Sequence, residues 1–201
     1  MNLPNKITLT RILMIPIFVL VFFLNNVIPF AYGIAGIIFA LAACTDFIDG
    51  KIARSRGLVT NLGKFLDPIA DKVLVSTAMI LMMAMTQGFW SMFGGASEAI
   101  YVATVVCICI IMARELIISA FRQIAAVHSL VLAAEKLGKY KAACQDVAIF
   151  IIFMAGGLME NIAVAQILAW IGIGLFFLAT ILTIWSGISY VVKNKQVLKD
   201  N

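Results

Sequence analysis

Residues 12–45, ILMIPIFVLVFFLNNVIPFAYGIAGIIFALAACT, form a run of 34 positions without a single Asp, Glu, Lys or Arg. As one helix the run would extend about 51 Å, well beyond the roughly 30 Å hydrocarbon core of a bilayer. It must bend, and Asn25, Asn26 and Pro29 supply the break. The pattern therefore predicts one membrane helix over about 8–26 and a second over about 31–56. Working outward, helical patterns follow over about 63–86, 100–127 and 141–158, and the charge-free run 161–192 makes a sixth. The Gly-rich, aromatic stretch 87–97 reads as a short external connection. The fold class expected is all-α: a polytopic membrane protein of six transmembrane helices, forming a single membrane domain over 1–201. The N-terminal stretch with Pro4 and Pro16 is expected to start as a helix lying in the interface.

Composition points the same way. Of the 201 residues 63% are apolar and 12% charged, and the mean hydropathy is +1.07, which excludes an ordinary water-soluble domain. The net charge of +5 does not signal a nucleic-acid binder, because the charges cluster between the apolar runs. Assigning each of the fifteen Lys and Arg to a connection puts all of them on one side of the six-span topology, leaving Glu98 and Glu160 on the other. By the positive-inside rule both termini are then cytoplasmic. The four cysteines lie in apolar stretches without ligand spacing, so neither a disulfide framework nor a zinc site is indicated.

Four of the ten acidic residues fall between 46 and 71. Asp46 and Asp49 are i,i+3 neighbours and Asp67 and Asp71 are i,i+4 neighbours, so each of two successive helices shows a carboxylate pair on one face. Counting along the helices puts all four roughly 5 to 15 Å below the cytoplasmic boundary. Ionised carboxylates so placed repel by about 4 kcal/mol per close pair at an effective dielectric near 20, so they must be protonated, paired or bound to cations. Oxygen-only ligation suits hard divalent ions, and two of them would neutralise the set. Salt bridges to Lys51, Arg54, Lys64 and Lys72 are the plainer alternative. Gly50, Ala53 and Gly63 keep the mouth of the site open, or serve close helix packing, and Arg54 offers a planar fork for a phosphate.

Written out, the window is D46-x-x-D49-G50-x-x-A53-R54, eight residues, then G63-x-x-x-D67-x-x-x-D71. It resembles the signature of the CDP-alcohol phosphatidyltransferase family at every defining position. The resemblance implies six membrane helices, commonly a homodimer, and transfer of a phosphatidyl group from a CDP-linked lipid to an alcohol with release of CMP. It further implies that Asp46, Asp49, Asp67 and Asp71 hold two Mg²⁺ or Mn²⁺ ions and that Asp71 is the catalytic base. Asp49, Gly50, Ala53, Arg54 and Gly63 would surround the cytidine diphosphate.

Three further stretches, N2-L-P-N5-K-I-T8-L-T-R11-I-L-M-I-P16, A113-R114-E115-L-I-I-S119-A-F-R122 and K136-L-G138-K139-Y-K141-A-A-C-Q145, resemble one branch of that family, the bacterial phosphatidylglycerophosphate synthases. The implied substrates are CDP-diacylglycerol and sn-glycerol 3-phosphate, in phospholipid biosynthesis at the bacterial cytoplasmic membrane. A dianionic acceptor needs cations at the membrane mouth; the candidates are Arg114, Arg122, Lys136 and Lys139, with Glu115 an alternative partner for Arg114. Phosphatidylglycerol or inositol phosphate as acceptor are the neighbouring alternatives. A small cation transporter or channel using the aspartates as an ion site is the rival from another class. His128 reads as an interfacial polar residue, and Asp146 has no function in this reading beyond capping or pairing with Lys139 or Lys141.

Overall fold

The break predicted at 25–29 is built from its own side chains. In the computed structural model the first helix, α1 (Leu3–Phe23), gives way to a 3₁₀ turn at Leu24–Asn26. There the Asn25 amide donates to the Phe22 carbonyl at 3.1 Å, and the N–H groups of Val27 and Ile28 both reach the Leu24 carbonyl. Helix-end carbonyls that Pro29 cannot serve are satisfied in this way. The chain then re-enters a helix, α2 (Ala31–Arg56). The structure describes the backbone of residues 3–56, 61–127 and 136–195, and side chains at 8–45, 66, 68–125 and 137–195.

The remaining helices are α3 (Asn61–Met83), the short α4 (Gln87–Ser91), α5 (Ser97–Val127), α6 (Lys136–Gly157) and α7 (Ile162–Lys193). No strand occurs among the described residues. Among the described residues four segments are long and apolar enough to cross a bilayer: Thr8–Asn26, Gly94–Ala125, Leu137–Gly157 and Ile162–Lys193. The apolar part of α2, Ala31–Thr45, is shorter because its last turns carry the charged window. Large apolar side chains cover the outside, Leu20, Trp185 and Ile188 each being more than half exposed. A bundle with such a surface is an integral membrane protein.

Lipid tails are as apolar as leucine, so close packing rather than water exclusion holds this bundle together. Phe153 on α6 illustrates it: the ring is fully buried, with centroids 5.4 Å from Phe18 and 5.9 Å from Phe22, both on α1. Phe18 in turn meets Phe39 of α2 at 6.1 Å. α2 and α6 approach until a Cβ on Gly157 would lie 2.6 Å from the Gly33 nitrogen, a distance only glycine permits. α6 packs most extensively against α7.

Two expectations shift. The fifth span starts at Lys136 rather than about 141, which winds Gly138, Lys139 and Lys141 into helix α6. The stretch 87–97 is more than a connection: Phe89, Trp90 and Phe93 are buried, Trp90 meets the Tyr101 ring at 5.1 Å and Phe93 meets Trp170 at 5.0 Å. Aromatic residues at i, i+1 and i+4 of a helical turn gather on one side, so this segment caps the bundle end remote from the aspartates.

Candidate active site

Asp46 and Asp49 lie in the last turns of α2, followed by Gly50, Ala53 and Arg54; Gly63, Asp67 and Asp71 lie in the first turns of α3. The two helices are neighbours. The backbone thus sets an i,i+3 and an i,i+4 carboxylate pair on adjacent helices, a set of oxygen donors that fits hard divalent ions. The side chains of Asp46, Asp49, Ala53, Arg54 and Asp67 lie outside the described residues, as does that of Lys136 and all of His128. Among the described residues no cluster of three His, Cys, Asp or Glu side chains forms.

Asp71 is described, and it is exposed on the wall of a cavity of about 160 Å³ between α3, α5 and α6. Lys72, Glu115, Lys141, Gln145 and Asp146 share that wall. A second cavity, about 270 Å³, adjoins it through Lys72, Glu115, Lys141 and Ala142. Its lining brings together Lys72, Arg114, Arg122, Lys139 and Lys141, five cations against the single carboxylate of Glu115. Arg114, Arg122 and Lys139 were singled out in the sequence; Lys72 and Lys141 join them because α3 and the longer α6 face the same space.

The spacing explains the convergence. Glu115, Ser119 and Arg122 fall at i, i+4 and i+7 of α5, Gly138, Lys141 and Gln145 at i, i+3 and i+7 of α6, and Ser186 and Tyr190 at i and i+4 of α7. These are cavity-facing stripes that carry polar groups, the sequence signal that reaches beyond the aspartate motif. Glu115 ties the stripes together. Its Oε1 accepts from Arg114 Nη1 at 2.8 Å and from the Lys141 ammonium, which is itself buried. A buried ammonium requires such a counter-charge.

Arg114 is clamped on a second side by Ser186, whose Oγ accepts from Nη2 at 3.0 Å. Its aliphatic stem lies over Gly187, where an added Cβ would stand 3.1 Å from Cγ and 3.3 Å from Nε. Lys72 donates to the Ser119 hydroxyl, which donates onward to the Glu115 carbonyl. Arg122 Nε donates to the Tyr190 hydroxyl at 3.2 Å, its guanidinium 5.4 Å from the ring centre. Asp146 lies close enough to Lys141 to attract its charge, one of the pairings read from the sequence, and it lines the same cavity as Asp71. The assembly joins a wall carrying Asp71, Glu115 and Asp146 to a wall of cations, two of them guanidinium forks, suited to an anion bearing a hydroxyl.

The family model for CDP-alcohol phosphatidyltransferases matches residues 1–185. The chain belongs to that family. As a CDP-alcohol phosphatidyltransferase it is an enzyme, which sets aside the transporter reading of the aspartates. It is 37% identical over 202 residues to CDP-diacylglycerol–glycerol-3-phosphate 3-phosphatidyltransferase of Escherichia coli K12, covering 99% of this chain and 98% of the relative. The proteins of the same name from Salmonella paratyphi A and Bacillus subtilis 168 are 36% and 34% identical to this phosphatidyltransferase. Both alignments cover at least 97% of either chain.

Proposed function

We propose that this phosphatidyltransferase moves the phosphatidyl group of CDP-diacylglycerol onto sn-glycerol 3-phosphate, giving phosphatidylglycerophosphate and CMP for phospholipid biosynthesis. The observation that carries this reading is the junction of the Asp71 cavity with the five-cation cavity. A phosphate monoester dianion suits the cations of the second while its chain reaches the carboxylate of the first. Phosphatidylglycerol offers only a singly charged diester, so the charge balance favours the monoester.

In the reaction the acceptor's primary hydroxyl oxygen attacks the phosphorus that bears the diacylglycerol group. The new O–P bond forms as the bridging bond to CMP breaks; Asp71 takes the hydroxyl proton and the bond electrons leave with CMP. Arg114, Arg122, Lys139, Lys141 and Lys72 hold the acceptor phosphate, and Glu115 and Ser186 fix the direction of the Arg114 fork. Asp49, Gly50, Ala53, Arg54 and Gly63 surround the cytidine diphosphate. Asp46, Asp49, Asp67 and Asp71 would hold two divalent ions, Mg²⁺ or Mn²⁺, which when bound neutralise charge on the pyrophosphate. The reading includes a homodimer, as the family resemblance implies, six membrane spans in a single domain over 1–201, and, on the strength of the Lys and Arg distribution, an active site and both termini facing the cytoplasm.

The test is CMP release by protein in lipid nanodiscs with Mg²⁺ and CDP-diacylglycerol, comparing glycerol 3-phosphate, inositol phosphate, phosphatidylglycerol and serine as acceptors. Release with glycerol 3-phosphate alone is the expected result. Release only with another acceptor would keep the chemistry and overturn the substrate.

A further inference from the structure

Gln145 is a poorly satisfied polar side chain in the pocket. It is 3% exposed, and among the described residues its Nε2 reaches only the Met79 sulfur at 3.6 Å and its Oε1 has no hydrogen-bond partner. Turning the amide over exchanges its two ends and still leaves one of them without a partner. A thioether is a weak acceptor, so an amide capable of several hydrogen bonds sits buried with almost none. Native interiors rarely keep such a group without a use for it.

Its position suggests the use. Gln145 is one turn beyond Lys141 on α6, facing the cavity whose wall also holds Asp71 and Glu115. At about 160 Å³ the cavity has room for roughly five waters at about 30 Å³ each, enough for a three-carbon polyol. With the acceptor phosphate among the cations and its primary hydroxyl at Asp71, the carbon chain between them crosses this cavity. The chain carries one more hydroxyl, at its middle carbon. A hydroxyl donates and accepts at once, and so does an amide. Gln145 differs from the lysines, arginines and carboxylates around it in having no charge, so it distinguishes hydroxyl position rather than phosphate charge.

We propose that Gln145 is a specificity-determining residue that hydrogen-bonds the acceptor hydroxyl that does not react. The proposal rests on the functional reading above, in which Asp71 and the cation cavity receive a polyol phosphate. A site built around a substrate hydroxyl discriminates strongly against an analogue lacking it, because the buried polar group is then left unpaired.

The experiment compares kcat/KM for glycerol 3-phosphate and for 3-hydroxypropyl phosphate, which lacks only the middle hydroxyl, in wild type, Gln145→Met and Gln145→Asn. Methionine keeps the volume without the hydrogen bonds; asparagine keeps a polar group that falls short. Wild type is expected to prefer glycerol 3-phosphate by about 10-fold or more. Both variants should bring the ratio within about 3-fold by losing rate with glycerol 3-phosphate alone. Parallel losses with both acceptors in the variants, leaving the ratio intact, would show a packing role and overturn the proposal. A wild type active with both and indifferent between them would overturn it too, leaving the functional reading in place. A folded wild type that is active with neither acceptor would overturn that reading and the proposal together.

Discussion

Gly187 and Gly174 lie on the same helix α7 and predict opposite outcomes for the same substitution. A Cβ on Gly174 meets nothing within 4 Å, whereas one on Gly187 stands 3.1 Å from Arg114 Cγ, 0.3 Å short of ordinary contact at 3.4 Å. The guanidinium lies about three times farther from the Cβ pivot of Arg114 than Cγ does, so that displacement grows to about 1 Å at the nitrogens. A shift of that size breaks the 3.0 Å bond to Ser186 and turns the fork away from the acceptor. Misplacement by 1 Å costs up to about 100-fold in rate, and with Lys141, Lys139 and Arg122 still in place about 10-fold is expected for Gly187→Ala. The loss should appear in kcat/KM for glycerol 3-phosphate, with KM for CDP-diacylglycerol unchanged. Gly174→Ala gains helix propensity of about 0.5–1 kcal/mol without a clash and should raise the midpoint of thermal unfolding in detergent while leaving both substrates' kinetics alone. Acceptor kinetics in Gly187→Ala matching those of Gly174→Ala would refute the assignment of Arg114 to the acceptor phosphate.

Asp71→Asn keeps size and polarity but cannot take a proton, and should lower CMP release by at least about 100-fold with a normal elution profile on size exclusion. Phe153→Ala removes a fully buried ring that packs on Phe18 and Phe22, and should destabilise by about 3–5 kcal/mol on thermal unfolding while acceptor KM stays constant in the folded fraction. Gly157→Ala forces a methyl to 2.6 Å from the Gly33 nitrogen, backbone that cannot step aside, and should cut the yield of folded protein sharply.

How much of this was legible in the sequence depended on the kind of signal. The break at Asn25, Asn26 and Pro29 and the start of α2 at Ala31 follow from local rules, and the structure puts them where those rules do. The aspartate window is a fixed-spacing motif within two consecutive helices, and spacing along a helix is readable without a partner. The start of α6 was placed five residues late because Lys136, Gly138 and Lys139 look like loop composition, yet they wind into helix and set Lys139 and Lys141 toward the cations of α5. Phe89, Trp90 and Phe93 were hidden by the glycines around them, since burial of a short turn depends on what it docks against. Lys72, Lys141 and Gln145 matter through neighbours 26 to 66 residues away, at Ser119, Glu115 and Met79. No periodicity within one segment encodes such pairings.

The aromatic cap has a consequence for the membrane as an electrical barrier. On the function proposed above, the site opens a wet, polar vestibule to a dianion, and a vestibule that continued through the bundle would conduct protons or ions. Here, roughly 18 Å of helix α3, at 1.5 Å per residue, separates Asp71 from Met83. Leu74, Ala78, Met79 and Met82 fill that length, all buried. Beyond them Phe89, Trp90 and Phe93 close the far end. The polar groups of the cavities thus give way to buried apolar packing, which resists leakage of ions along the bundle.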